Sequence, residues 1–245
     1  MQINTKSIKS RFEKSMDEYD KNAIVQIDMA KKLTDNLLKI KQEFDTILEL
    51  GAGTGVLTYN IKYMLKFNKY TGNDLTEKSK NYISKIIPDS EFIQGNALKI
   101  KPANKADLVI SNAMFQWFSD LADITEHSKE LLNNDGILAF TTFGKNNFKE
   151  ISDLSGLSLN YLSTEEIKEK LEKNFEILHI EEYTHKLEFR TPLELLLHMK
   201  NTGVNSLSAK PWTVKEIKDF CEKYLNKYNR VQLTYNPIIV IAKTK

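Results

Sequence analysis

The chain reads as an α/β protein built on a mostly parallel sheet with helices on both faces. Helical and strand signals alternate through its middle. The strand signal at residues 106–111 has the composition of a strand covered on both faces. A glycine-rich loop joins the first strand to the helix that follows it. The 245 residues suit one α/β domain with an added lid, or two small domains. With 41% hydrophobic and 28% charged residues, the composition is that of an ordinary globular protein.

The first forty residues predict helix, with Ala23, Ile27, Ala30, Leu33 and Leu37 on one apolar stripe. Residues 44–50 predict the first strand, which runs into Gly51-Ala52-Gly53-Thr54-Gly55. A helix carrying Leu57, Ile61, Met64 and Leu65 follows. Residues 69–74 predict a second strand ending in Asp74, residues 91–94 a third and residues 106–111 a fourth. Residues 136–143 predict a fifth, entered through the turn Asn133-Asn134-Asp135-Gly136. Ser163 and Glu166 form a capping box at the start of a helix. Residues 175–189 read as one long strand, and residues 192–200 as a helix with Pro192 in its first turn. Val214, Ile217, Cys221, Tyr224 and Tyr228 form another helical stripe. Residues 231–242 make a seventh strand, where Pro237 implies an edge position or a bulge. The helices at about 190–230 are candidates for a lid.

Cys221 is the only cysteine, which excludes an intrachain disulfide and a multi-cysteine metal site. The four histidines show no ligand spacing, so no metal is expected. The N-terminus lacks the apolar stretch of a signal peptide, and no apolar run has membrane-spanning length, so a cytoplasmic protein is expected. A net charge of +2 argues neither for nor against a nucleic-acid partner. The charge is uneven, however. Residues 150–189 hold ten acidic and four basic side chains, whereas residues 186–245 hold eleven basic and five acidic. These are either solvated helix faces or, for the basic third, a surface that meets an acidic partner.

The strand–loop–helix unit carries the chemistry. Glycines allow a tight turn and close approach of a ligand to the backbone, and the following helix presents unpaired N–H groups. Asp74 lies where a ribose-binding carboxylate is expected after such a loop. The loop is Gly-x-Gly-x-Gly, not the Gly-x-Gly-x-x-Gly of dinucleotide enzymes, and Glu49 leads it. The stretch from Glu49 to Gly55 resembles the first motif of class I methyltransferases. That resemblance implies a Rossmann-like, seven-stranded sheet with a helical lid, and S-adenosylmethionine bound by Glu49, Gly51, Ala52, Gly53 and Gly55. It adds Asp74 and Leu75 for the ribose. Asn96 and Ala97 would lie at the adenine, where the family usually has an Asp and the Asn96 side-chain oxygen would take its place. Ser111, Asn112 and Ala113, at the end of the fourth strand, would also face the cofactor.

Three stretches resemble a narrower family, the malonyl-acyl-carrier-protein O-methyltransferases of biotin synthesis. They are Arg11-Phe12 with Tyr19-Asp20, Ala23 and Gln26; Ser111-Asn112-Ala113-Met114-Phe115-Gln116-Trp117; and a third set made of residues 140–143, Met199-Lys200 with Gly203, and Leu233-Thr234-Tyr235. Met16 and Asn236-Pro237 depart from the expected pattern. The resemblance implies one methyltransferase domain over residues 1–245, with N-terminal helices at 1–42. It also implies that Arg11 and Gln26 bind cofactor, that Tyr19 is the catalytic residue bordering cofactor and acceptor, and that Gln116 and Trp117 contact substrate.

The implied acceptor, a malonyl thioester, carries a carboxylate already ionised near neutral pH, so it needs no general base. Alignment and exclusion of water would suffice, with one cation to orient the carboxylate. Arg190 or Lys200 is expected to supply it, and the basic C-terminal third to meet an acyl carrier protein. Alternatives are a methyltransferase for another small acid or a quinone, a dehydrogenase, and a non-catalytic S-adenosylmethionine-binding protein. A nucleic-acid enzyme is disfavoured, because Ser111-Asn112-Ala113-Met114 stands where base-modifying enzymes carry an Asn-Pro-Pro-Tyr type of motif.

Overall fold

The structure, a computed structural model, describes residues 5–202 and 212–245. Two helices open the chain, α1 (Thr5–Asn22) and α2 (Ile24–Leu38). There follow β1 (Glu43–Leu50), α3 (Val56–Met64), β2 (Lys66–Asp74), α4 (Lys78–Ile86), β3 (Glu91–Gln94) and β4 (Ala106–Ser111). A short 3-10 turn at Phe115–Trp117 leads to α5 (Leu121–Leu131), β5 (Leu132–Phe143), α6 (Lys149–Ser155) and α7 (Thr164–Leu171). The rest is β6 (Phe175–Glu182), β7 (His185–Glu188), α8 (Pro192–Asn201), α9 (Val214–Lys227), β8 (Gln232–Tyr235) and β9 (Pro237–Thr244).

Seven strands form one sheet in the order β3-β2-β1-β4-β5-β9-β6. The first five run parallel, and β9 runs antiparallel to both of its neighbours. The central strands are apolar almost throughout because both faces of the sheet are covered. Leu48, Val109, Leu138 and Val240 pack on one face against Ile124 of α5 and Ile167 of α7. Ile47, Leu108, Ala139 and Ile241 pack on the other against Leu33 of α2 and Ile61 of α3. The strand order reverses between β1 and β4, which opens a crevice at the carboxyl ends of the strands.

A third apolar cluster caps that end. It joins Met29 of α2, Ile151 of α6, Leu195 and Met199 of α8, Phe220 and Tyr224 of α9, and Leu233 and Tyr235 of β8. The capping box of α7 forms as the sequence predicts, with Ser163 Oγ accepting the Glu166 N–H and Glu166 accepting the Ser163 N–H.

The structure corrects four expectations. The opening helical stretch breaks at Ala23, and Ile27 of its stripe is 42% exposed. The buried face of α2 instead runs through Val25, Gln26, Met29, Ala30 and Leu33. In α9, Val214 is 72% exposed and the buried residues are Phe220 and Tyr224. The expected long strand at 175–189 splits into β6 and β7, and β7 leaves the main sheet to pair with β8. Finally, β9 is an internal strand rather than an edge. Pro237 is its first residue, paired with Phe143, a position where a missing N–H is tolerated. The two breaks form one corner held by buried Asn236. Its amide donates to Glu182 Oε1 and to the Tyr183 carbonyl, and its side-chain oxygen accepts the Asn146 N–H. Gly144 is required beside it, since a Cβ there would stand 2.5 Å from Asn236 Oδ1.

Candidate functional site

The crevice holds a cavity of about 300 Å³, within the usual range for small-ligand sites. Its floor is the loop after β1. Gly51 and Gly53 adopt positive φ values of 70° and 57°. A Cβ on Gly51 would lie 2.7 Å from Met114 Cγ, and one on Gly53 would lie 3.0 Å from Phe12 Cζ, so the chain passes these side chains only as glycine. The loop is tied to the end of β2. Both Gly51 and Ala52 donate N–H groups to the Asn73 carbonyl at 2.9 Å. The Asn73 amide in turn donates to the Ile93 and Gly95 carbonyls and fixes the end of β3.

Two carboxylates face this floor. Asp74, 8% exposed, accepts the Gly53 N–H on Oδ2 and the Thr76 N–H on Oδ1, both at 2.9 Å. Burial raises its pKa, and these bonds oppose the rise. Glu49 is 1% exposed and accepts hydrogen bonds from Thr58 Oγ1 (2.8 Å) and Tyr70 Oη (2.5 Å) on the same oxygen. Burial pushes its pKa up to about 7, against the lowering effect of those bonds.

Helix α1 covers the cavity through Lys9, Phe12 and Tyr19. Thr54 Oγ1 donates to Asp20 Oδ1 at 2.6 Å and Thr76 Oγ1 to Glu13 Oε1 at 2.5 Å, which fasten the helix to the loops after β1 and β2. The Tyr19 ring packs edge-on against Phe12, and burial raises its pKa, so its hydroxyl keeps its proton near neutral pH. The far wall is Asn112 to Trp117. Asn112 donates to the Gln26 carbonyl and accepts from Thr141 Oγ1. Gln116 donates to the Ala113 carbonyl at 2.6 Å. The side-chain oxygens of Gln26 and Gln116 are buried and accept nothing from the described residues, and both residues line the cavity.

The residues that the sequence singles out are therefore mostly gathered here. Tyr19, Gln26, Glu49, Gly51, Ala52, Gly53, Asp74, Leu75, Asn96, Ala97, Asn112, Ala113, Gln116 and Trp117 all line the cavity. Gly55 and Ser111 stand behind its wall, where Ser111 Oγ donates to the Leu50 carbonyl and ties β4 to β1. Arg11 lies on α1 outside the lining. Asn96 Oδ1, expected to face an adenine amino group, already accepts the Leu98 N–H at 3.0 Å. Arg190 and Lys200 are exposed and do not line the cavity, and neither does any residue of α9. Of the stretch 190–230, Thr202 reaches the lining, and Gly203 lies outside the described residues. Sequence reasoning missed Lys9, Asn73, Asn147, Phe148, Tyr161 and Thr202. Asn147, Phe148 and Tyr161 sit where the sequence shows no recognisable motif, and Thr202 lies inside the Met199-Lys200-x-x-Gly203 stretch without having been singled out.

The fold matches solved structures, an N-methyltransferase among them. The N-methyltransferase NodS from Bradyrhizobium japonicum, solved in complex with S-adenosyl-L-homocysteine, aligns with a TM-score of 0.53 at 9% identity over 88% of this chain and 85% of its own. The YcgJ protein from Bacillus subtilis aligns with a TM-score of 0.64 at 13% identity over 88% and 99%. A family model for the methyltransferase domain matches residues 41–203. Malonyl-[acyl-carrier protein] O-methyltransferases match nearly end to end. The protein from Bacteroides thetaiotaomicron is 34% identical over 99% of both chains, and that from Calditerrivibrio nitroreducens 35% over 97% of this chain and 96% of its own. The chain belongs to the malonyl-[acyl-carrier protein] O-methyltransferase family. As a member of that family it is an S-adenosylmethionine-dependent methyltransferase with a class I fold.

The cavity fits that cofactor. S-adenosylmethionine carries a net positive charge, and the floor offers two buried carboxylates, an unpaired buried acceptor on Gln26 and a glycine cradle without Cβ atoms. Among the described residues no helix is long and apolar enough to cross a membrane, and no group of three metal-ligating side chains occurs.

Proposed function

We propose that this enzyme O-methylates the free carboxylate of a malonyl thioester carried on acyl carrier protein, or on coenzyme A, in the cytoplasm as a step of biotin synthesis. One observation carries the reading. The likeness to relatives of that name covers 97–99% of the chain, beyond the 41–203 core common to methyltransferases. It thus includes α1 and α2, which bring Tyr19 and Gln26 to the cavity, and the C-terminal strands.

The chemistry asks little of the protein. The acceptor is ionised near neutral pH, so no base has to remove a proton. Bound S-adenosylmethionine supplies an electrophilic methyl group. Asp74 would hold its ribose hydroxyls, and Gln26 and the loop Gly51–Gly53 its methionyl part. Tyr19, which keeps its proton, lines the reacting end as a hydrogen-bond donor rather than a base. Helix α1, pinned by Asp20 and Glu13, excludes water and fixes the approach of the two reactants.

Arg190 and Lys200 suit a different task from the one that the sequence suggests. Exposed on a basic C-terminal third, they would meet an acidic carrier domain and leave the carboxylate to other groups. Nucleic acid has no part in the proposal.

The test supplies labelled methyl donor with malonyl-acyl-carrier protein, malonyl-coenzyme A and free malonate. The expected result is label on the thioesters that alkali releases. Label on none of them, with S-adenosylhomocysteine still bound, overturns the reading.

A further inference from the structure

Among the described residues Lys9 is the only cation that lines the cavity, and it lies on the donor side, 3.8 Å from Glu13, which itself holds Thr76. Lys170 lines an adjoining cavity but is paired with Asp120 at 2.8 Å, so the donors that the described residues offer an acceptor carboxylate are neutral. Past Tyr19 the cavity wall is Phe143, Asn147, Phe148 and Tyr161. Tyr161, 8% exposed, also lines a second cavity of about 170 Å³ that shares Gln116, Phe118 and Phe143 with the first, so it stands where the two meet.

The hydrogen bonds of Asn147 decide which way the Tyr161 hydroxyl points. Asn147 is 2% exposed. The backbone N–H of Asn236 lies 3.1 Å from its Oδ1, and an N–H demands an acceptor, so the oxygen must take that side. The Asn147 amide nitrogen then faces Tyr161 Oη at 2.9 Å and donates to it. The phenol oxygen is thus an acceptor toward the protein, and its one proton has no acceptor among the described residues. A hydroxyl in that state, in the wall of a cavity, is a preset donor. The geometry points to Tyr161 as the group that binds the acceptor's carboxylate, with Asn147 as the residue that positions its proton.

This inference rests on the proposed reaction, and the experiment separates the two. The wild type, Tyr161→Phe and Asn147→Asp are assayed for KM and kcat with malonyl-coenzyme A and malonyl-acyl-carrier protein, and for affinity toward S-adenosylhomocysteine. Tyr161→Phe keeps the ring and loses the donor. Asn147→Asp keeps ring and hydroxyl, but a carboxylate accepts both the Asn236 N–H and the Tyr161 proton and turns the donor away from the cavity. Both variants are expected to raise KM about ten- to a hundredfold, as for a hydrogen bond to a charged group, with unchanged affinity for S-adenosylhomocysteine. A wild-type KM in either folded variant overturns the assignment and leaves the reaction standing. A wild type inactive on both thioesters overturns the reaction, and the assignment with it.

Discussion

Asp74 is the residue on which two halves of the account converge, because its carboxylate both closes the loop after β1 and faces the cofactor cavity. Replacing it with Asn keeps the shape but cannot keep the bonds. Each carboxylate oxygen accepts one backbone N–H, from Gly53 and from Thr76, at 2.9 Å. An amide presents one oxygen and one NH2, so one buried N–H must face another donor. Leaving that group unpaired costs about 1–3 kcal/mol of stability. The change also removes the charged acceptor proposed for the two ribose hydroxyls. At about 1.5–3 kcal/mol for each bond to a charged group, affinity should fall on the order of a thousandfold. Titration calorimetry with S-adenosylhomocysteine reads the second effect, and a thermal melt without ligand the first. Because burial raises the pKa of Asp74, wild-type affinity should weaken on acidification at a higher pH than an exposed aspartate would impose. An Asp74→Asn protein that melts earlier yet binds like the wild type would refute the ribose assignment and leave the carboxylate a loop staple only.

Two further outcomes follow from the same structure. The pKa of Glu49 is raised from 4.5 to about 7, so its neutral form favours folding. That contribution is fully present below the unfolded value and is lost as pH rises through about 7, a change on the order of 3 kcal/mol. In Glu49→Gln, whose oxygen can still accept from Thr58 and Tyr70, this part of the stability loss with rising pH should disappear, and urea unfolding below and above the window reads it. Asn236→Ala removes the bonds that hold the corner between the two sheets. It should cost roughly 2–4 kcal/mol in denaturant unfolding, and a loss within error would contradict the role given to that corner.

Much of the fold was legible because strands covered on both faces announce themselves. The fourth strand begins and ends where its composition says, at Ala106–Ser111. The glycine loop with Asp74 was legible because its backbone geometry restricts residue type at several positions. The corner at Asn236 was not, since the apolar pattern continues unbroken while the chain changes sheets, and Pro237 suits the start of an internal strand as well as an edge. The acceptor wall was hidden for a different reason. Asn147 and Tyr161 do their work through one hydrogen bond across a loop, and no periodicity or motif records that. Expecting a cation for the carboxylate led to Arg190 and Lys200, and the structure leaves both on the surface.

The central claim is that a carboxylate oxygen receives the methyl group. Mass spectrometry of the intact carrier tests it most directly, with malonyl-acyl-carrier protein and acetyl-acyl-carrier protein each incubated with the enzyme and S-adenosylmethionine. The malonyl carrier should gain the mass of one methylene, reversed by ester hydrolysis, and the acetyl carrier, which lacks the carboxylate, should be unchanged. Equal methylation of both carriers, or none of the malonyl form by enzyme that still binds S-adenosylmethionine, would contradict it.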